Sequence, residues 1–165
     1  MKRARLLPLL VPVLLVATPA LARDSLGMFG TWGAFRDAAV PRCYAIAMAE
    51  PGRGPHRFTA YADVGTWPKR ALRGQVHFRL SRRIDANRPV VLSIGGQKIR
   101  LSAGGNDAWA PSPREDAAIT AAMRSASTMT IYAHEASGKV FYDSYMLSGA
   151  ATAMDAAMLG CAGDR

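Results

Sequence analysis

The stretch Val90–Leu101, with the sequence VVLSIGGQKIRL, decides the fold class of this chain. Its first half, Val90–Ile94, is a short apolar run, and after Gly95-Gly96 the apolar residues alternate with polar ones. Glycine accepts the positive φ that a two-residue turn demands, so the stretch predicts a tight hairpin of two antiparallel strands. A period of two is typical of strands with one face buried.

The same period of two recurs on both sides of this hairpin. Apolar and polar residues alternate, with few exceptions, over residues 44–48, 58–64, 76–80, 129–134 and 139–147. Ser137-Gly138 lies between the last two segments and predicts a second hairpin turn. This number of short strands with close turns predicts a mainly β fold, an antiparallel β-sandwich or barrel-like sheet.

Two segments have a helical pattern instead. Ser112-Pro113-Arg114-Glu115 resembles a capping box with proline at the first helical position, and it predicts a short helix near 113–124. The second segment predicts a C-terminal helix near 149–160. Its apolar face has the spacing i, i+3, i+4, i+7 and i+8 and comprises Ala150, Ala153, Met154, Ala157 and Met158, with Cys161 continuing it.

The N-terminus has the pattern of a secretory signal peptide over residues 1–22. Basic residues lie within Met1–Arg5, an apolar run covers Leu6–Val16, and Ala20-Leu21-Ala22 is a small-residue cleavage site. The mature protein is therefore predicted to begin at Arg23 and to form one β-rich domain, residues 23–165. We expect it to be periplasmic or secreted, with no transmembrane segment after the signal.

The two cysteines, Cys43 and Cys161, are expected to form one disulfide, because export delivers both to an oxidising compartment. Such a bond would tie the last element to the first strands. Metal ligation and a catalytic thiol are the alternatives. Neither cysteine has a histidine or a second cysteine at ligand spacing, which disfavours both.

Positive charge is the clearest functional signal. The chain has 21 Lys and Arg against 12 Asp and Glu, and residues 69–88 contain seven cations but only one acid. In a predicted strand over 75–83, the polar face comprises Gln75, His77, Arg79, Ser81 and Arg83. Pairing near the strand of Lys98 and Arg100 would place Arg79, Arg83, Lys98 and Arg100 on one candidate anion-binding face. A solvated face without a ligand is the alternative interpretation.

No known catalytic motif is recognisable, so the sequence predicts no enzyme, cofactor or metal. The three histidines, His56, His77 and His134, are scattered along the chain. An envelope hydrolase that uses His77 with a carboxylate such as Asp63 remains an alternative. Nucleic acid is not an expected partner, because the chain is exported and its few exposed aromatic residues make no stacking platform.

An ordered series of short segments resembles the invasion-associated locus B family. The resemblance spans most of the chain after residue 22, although Ala150 replaces the aromatic residue usual after the Ser-Gly pair. It implies an exported, periplasmic, β-rich protein of a Gram-negative envelope, without an established reaction. The segments are Trp32, Cys43–Ile46, Gly96–Leu101, Asp107–Ala110, Ala121–Arg124, Tyr145–Gly149, Ala153–Ala156 and Cys161.

The resulting prediction is an exported, non-enzymatic binding protein of the envelope or cell surface. Its partner would be an unidentified protein or an anionic envelope component, and the sequence indicates no oligomeric state. A second binding hypothesis concerns the predicted hairpin tip Glu135–Lys139, which is similar to the Ser-Gly-containing loop that periplasmic lysozyme inhibitors insert into their target. An ordinary turn explains the same residues.

Overall fold

A computed structural model describes residues 23–37, 39–52 and 58–163 of the chain. The predicted signal peptide and His56 lie outside these residues. The described part contains ten strands, two α-helices and a 3-10 turn at Pro68–Arg70. Their bounds are β1 Asp24–Phe29, β2 Trp32–Asp37, β3 Arg42–Met48, β4 Tyr61–Trp67, β5 Leu72–Arg79, β6 Val90–Ile94, β7 Gln97–Gly104, β8 Asp107–Trp109, α1 Pro113–Met123, β9 Thr128–His134, β10 Val140–Met146 and α2 Ala150–Gly160.

The strands form one open antiparallel sheet in the order β1-β2-β3-β4-β5-β8-β7-β6-β9-β10. Strand β7 pairs with β6 along its first half and with β8 along its last three residues, so it belongs to both halves of the sheet. The inner faces of the two halves meet, since the rings of Phe78 and Tyr145 lie 6.2 Å apart. The predicted mainly β, sandwich-like fold with two helices is confirmed.

The hairpin at Gly95-Gly96 is also confirmed. Ile94 pairs with Gln97, and the two glycines have φ values of 54° and 79°. Residues with a side chain rarely adopt such positive φ values. The second hairpin is present as well, because the N–H of Gly138 donates to the carbonyl of Glu135 at 2.8 Å and closes its turn.

Three strands, β1, β2 and β8, were not predicted. Glycines interrupt the alternation in the first two, and β8 has only three residues, too few for a recognisable period. The predicted strand over 58–64 starts only at Tyr61.

The prediction of a strand over 75–83 is wrong at its C-terminal end, because β5 stops at Arg79. Ser81, expected on the polar face, is only 1% exposed. Its N–H donates to the buried Asp143 carboxylate at 2.9 Å, so the chain turns into the core at this point.

Helix α1 starts where the sequence predicts, with Pro113 at the first helical position and Ser112 as the N-cap. The Ser112 hydroxyl accepts from the N–H of Arg114 at 3.3 Å. Glu115 does not complete the predicted capping box, because its carboxylate accepts from the Ser112 hydroxyl and not from the Ser112 backbone.

Helix α2 packs against β1, β2, β3 and β4, and the predicted disulfide fixes its end. Cys161 bonds to Cys43 of β3, with the two Cα atoms 5.8 Å apart and both side chains buried. The predicted apolar face is buried except for Met158, which is 52% exposed. Small alanines make up most of the packed stripe and leave Met158 at its solvent edge. Among the described residues, no helix is long and apolar enough to cross a membrane.

Candidate functional site

A cleft of about 450 Å³ lies on the outer face of β3, β4, β5 and β8, opposite the core. The side chains of a strand alternate between two faces, so the buried Val76 and Phe78 turn His77 outward into this cleft. The residues that line the cleft are Arg23, Arg42, Tyr44, Ile46, Tyr61, Asp63, Trp67, Gln75, His77 and Trp109.

Strand register places the central residues of the cleft side by side. Asp63 of β4 lies opposite His77 of β5, which in turn lies opposite Trp109 of β8. In the neighbouring row of outward-facing residues, Arg79 lies opposite Asp107. Cross-strand neighbours are within contact distance, so the antiparallel pairing itself assembles the site.

His77 lies between two carboxylates. Its Nδ1 is 2.7 Å from Oδ2 of Asp63, and its Nε2 is 3.2 Å from Oδ1 of Asp107. Asp107 also accepts from the Arg79 guanidinium at 3.2 Å. Asp63 is only 7% exposed, which is unusual for a carboxylate and requires a partner.

The pKa of His77 is set by opposing effects. Burial lowers it, but the hydrogen bonds and charges of Asp63 and Asp107 together raise the pKa above its usual value. The protonated ring donates from both nitrogens, one to each carboxylate. Asp63, His77, Asp107 and Arg79 then carry alternating negative and positive charges from one contact to the next, and the four charges sum to zero.

Aromatic rings form the walls around this network. The His77 ring lies 5.8 Å from that of Tyr61 and 5.3 Å from that of Trp109. Gly65 provides room for a further wall, because a Cβ at this position would lie 2.5 Å from the Trp67 indole. The arrangement can hold a ligand that has an apolar face and a polar edge.

A cation lies at another part of the cleft wall. The guanidinium carbon of Arg42 is 4.6 Å from the centre of the Tyr44 ring, and its Nε is 3.9 Å from Oδ2 of Asp37, so a cation–π contact and a long ion pair hold the side chain in place. A guanidinium held in this way is suited to pair with a carboxylate or phosphate of a ligand.

The described lining residues of the cleft define which chemical groups it offers for a reaction. They include no Ser, Thr, Cys or Lys, and the second nitrogen of His77 is occupied by Asp107. Burial, and next the charge of Asp63, raises the pKa of Tyr61, which therefore stays a neutral phenol. No group of metal-ligating side chains with suitable geometry occurs in the described part of the chain.

The four predicted anion-binding residues are not brought together. Arg79 belongs to the cleft network, and Arg83 is exposed in the loop that follows β5. Strand β8 separates β5 from β7, so the pairing on which a common face depended does not occur. Lys98 lies six residues along β7 from Gly104, the residue level with Arg79, or about 20 Å at strand spacing. Anion binding by any of the four remains a prediction.

His77 and Asp63 form a pair that the sequence allowed as a possible convergence, and the structure brings these two residues into contact. Asp107 and Arg42 were not among the predicted site residues. For Asp107, the only local signal is the alternation Asp107-Ala108-Trp109, in which the apolar Ala108 is the residue that the structure buries. The hairpin tip Glu135–Lys139 forms a turn in which the Glu135 carboxylate pairs with Arg82, and its similarity to a lysozyme-inhibitor loop stays a prediction.

Comparisons with protein families, with curated proteins and with solved structures find no match. The resemblance to the invasion-associated locus B family therefore stays a prediction.

Proposed function

We propose that this protein is exported to the cell envelope and acts there by binding a ligand in the cleft, without catalysing a reaction. One observation carries this proposal: a charge-balanced network of Asp63, His77, Asp107 and Arg79 lies at an aromatic-lined cleft on the outer face of the sheet. Export rests on the pattern of residues 1–22, and the resemblance to an envelope family points in the same direction.

The ligand we propose is a short acidic saccharide. Sugars present C–H faces that pack on aromatic rings, as Tyr61 and Trp109 offer here, and hydroxyl groups that bond to polar side chains such as Gln75. Arg42 supplies the charge for one carboxylate or phosphate. The envelope is rich in polymers of this chemistry.

The hydrolase is the second candidate, and the Asp63–His77 contact is the observation that favours it. A carboxylate on Nδ1 orients a histidine so that Nε2 can act as a base. For this role Asp107 would have to leave Nε2, and the ring would have to act in its unprotonated form, which the two carboxylates disfavour by raising the pKa of His77. Binding requires neither change.

The test uses the mature protein with two matched disaccharides in titration calorimetry. One is the disaccharide of N-acetylglucosamine and N-acetylmuramic acid, which carries a carboxylate, and the other is uncharged chitobiose. We expect the acidic sugar to bind more tightly, and Trp109→Ala to weaken both by about tenfold through loss of the aromatic wall. Arg42→Gln should weaken only the acidic sugar.

Tyr132→Ala is the matched control, because Tyr132 is an exposed aromatic residue on a strand far from the cleft. Equal affinity in the parent and in Trp109→Ala would contradict the proposed site. Cleavage of an oligosaccharide that His77→Gln abolishes would support the hydrolase instead.

A further inference from the structure

A second surface lies on the outer face of β6, β7, β9 and β10, and it differs from the cleft. The strands are in register, so that Arg100, Val91, Tyr132 and Tyr142 form one row across the four strands. We call this surface the second face. Its defining residues are Lys98, Arg100, Tyr132, Val140, Tyr142 and Met146.

One side of the second face is an apolar ridge on two adjacent strands. Tyr132, Val140, Tyr142 and Met146 have between 39% and 56% of their surface exposed, which is high for large apolar side chains. The rings of Tyr132 and Tyr142 lie 6.4 Å apart. Apolar side chains grouped in this way mark interaction sites more often than scattered ones do.

The other side is cationic. Lys98 and Arg100 are exposed, and neither has an ion-pair or side-chain hydrogen-bond partner among the described residues. Within the bounds of β6, β7, β9 and β10 the only carboxylate is Asp143, which is buried on the inner face. The two charges are therefore not neutralised by acids on the same face.

We propose that the second face binds an anionic phospholipid surface. Tyrosine places an apolar ring and a polar hydroxyl at the level of the headgroups, and lysine and arginine are attracted to the lipid phosphates. Strand β6 lies between the ridge and the cations and contributes Val91 and Ser93 to this face. Within the ridge, the hydroxyls of Thr130 and Ser144 bond to each other at 2.9 Å. The proposal is independent of the cleft and of its ligand.

Two geometric features favour a lipid surface over a polysaccharide. The tyrosine rings are inclined at 45° to each other, so they do not form the coplanar platform on which successive sugar rings would stack. The residues also lie on neighbouring strands of one sheet, and this broad surface matches a membrane better than a single extended chain.

Vesicle flotation with the mature protein tests this proposal. We expect binding to vesicles of phosphatidylglycerol and phosphatidylcholine, and little binding to phosphatidylcholine alone. Lys98→Glu with Arg100→Glu should weaken binding about tenfold or more, because each lost cation no longer attracts the lipid phosphates and each new glutamate is repelled by them. Tyr132→Ser with Tyr142→Ser should weaken the binding that persists at high salt.

Lys69→Glu with Arg114→Glu is the matched control, since these exposed cations lie on other elements and the change in net charge is the same. The control should retain most of the parent's binding. All variants should first show the same melting temperature as the parent.

Four outcomes would overturn the proposal. They are equal binding to neutral and anionic vesicles, an equal loss in the control, retention on heparin without vesicle binding, and a dimer that the tyrosine variants disrupt. The third would indicate an acidic polysaccharide, and the fourth would indicate a second copy of the chain.

Discussion

The cleft and the second face lie on the outer side of the same sheet, but they differ in whether their cationic side chains have acidic partners. In the cleft, His77 and Arg79 lie beside Asp63 and Asp107, and each of these two cations has an acid within 3.3 Å. On the second face, Lys98 and Arg100 lack such partners in the part of the chain that the structure describes. The difference shows that outward alternation predicts where a charge points but not whether it is neutralised.

The two regions also differ in what supports them from the inner side. Helix α2 and the disulfide lie beneath β2 and β3, next to the cleft. The half of the sheet with β9 and β10 has no covalent link of this kind. Changes to the two regions should therefore differ in their effect on stability.

The largest expected effect comes from removing the disulfide with Cys43→Ser and Cys161→Ser. The bond closes a separation of 118 residues. In the chain-entropy model its loss lowers the free energy of unfolding by about 4 to 5 kcal/mol. Denaturant unfolding measures this loss. Hydrogen exchange should accelerate more in β1–β3 than in β9 and β10, and equal acceleration would contradict the division of the sheet.

The next largest effect is expected for Asp63→Ala. The change leaves the protonated His77 without its closest partner in a buried site, which should cost about 2 kcal/mol at pH 6. Asp63→Asn keeps the shape and should cost less. Lys98→Ala on the second face is the control and should be close to neutral in the same unfolding experiment.

A smaller difference is expected between matched charge reversals on the two faces. Arg79→Glu places a carboxylate beside Asp107 and should cost about 1 kcal/mol, limited by solvent screening at this half-exposed pair. Arg100→Glu should change stability by less than about 0.5 kcal/mol. Thermal melts at low and high salt measure both, and the difference should shrink at high salt.

The smallest effect is a dependence of stability on pH. Because the folded pKa of His77 is raised, its contribution is fully present below the unfolded value of about 6.5 and is lost as the pH rises through the folded value. His77→Gln should remove this slope. NMR titration of the His77 ring checks the direction, and a folded pKa below the usual value would contradict it.

Local patterns were sufficient for part of this picture. The alternation of Val76 and Phe78 predicted which face of β5 is buried, and Gly95-Gly96 predicted the position of the central hairpin. The disulfide could be predicted because the chain offers only two cysteines. In each case the information lies within a few residues or in a unique pairing.

Other features depend on contacts that no local window contains. Ser81 continues the outward alternation of β5, but it is buried because Asp143, 62 residues later, accepts from its N–H. Met158 continues the apolar stripe of α2, but it remains exposed at the solvent edge of that stripe, although Ala157 before it and Cys161 after it are buried.

The sequence by itself determined the fold class, both helices, the central hairpins and the inward or outward direction of most strand residues, because these follow from periods of two and 3.6 residues. Only the tertiary structure decided which strands are neighbours. The three residues of β8 lie between β5 and β7, so Asp107 reaches His77 and Arg79 while Lys98 and Arg100 lie on a different face. Strand order depends on long-range pairing, and one short strand was enough to separate Arg79, which pairs with an acid, from the cations Lys98 and Arg100.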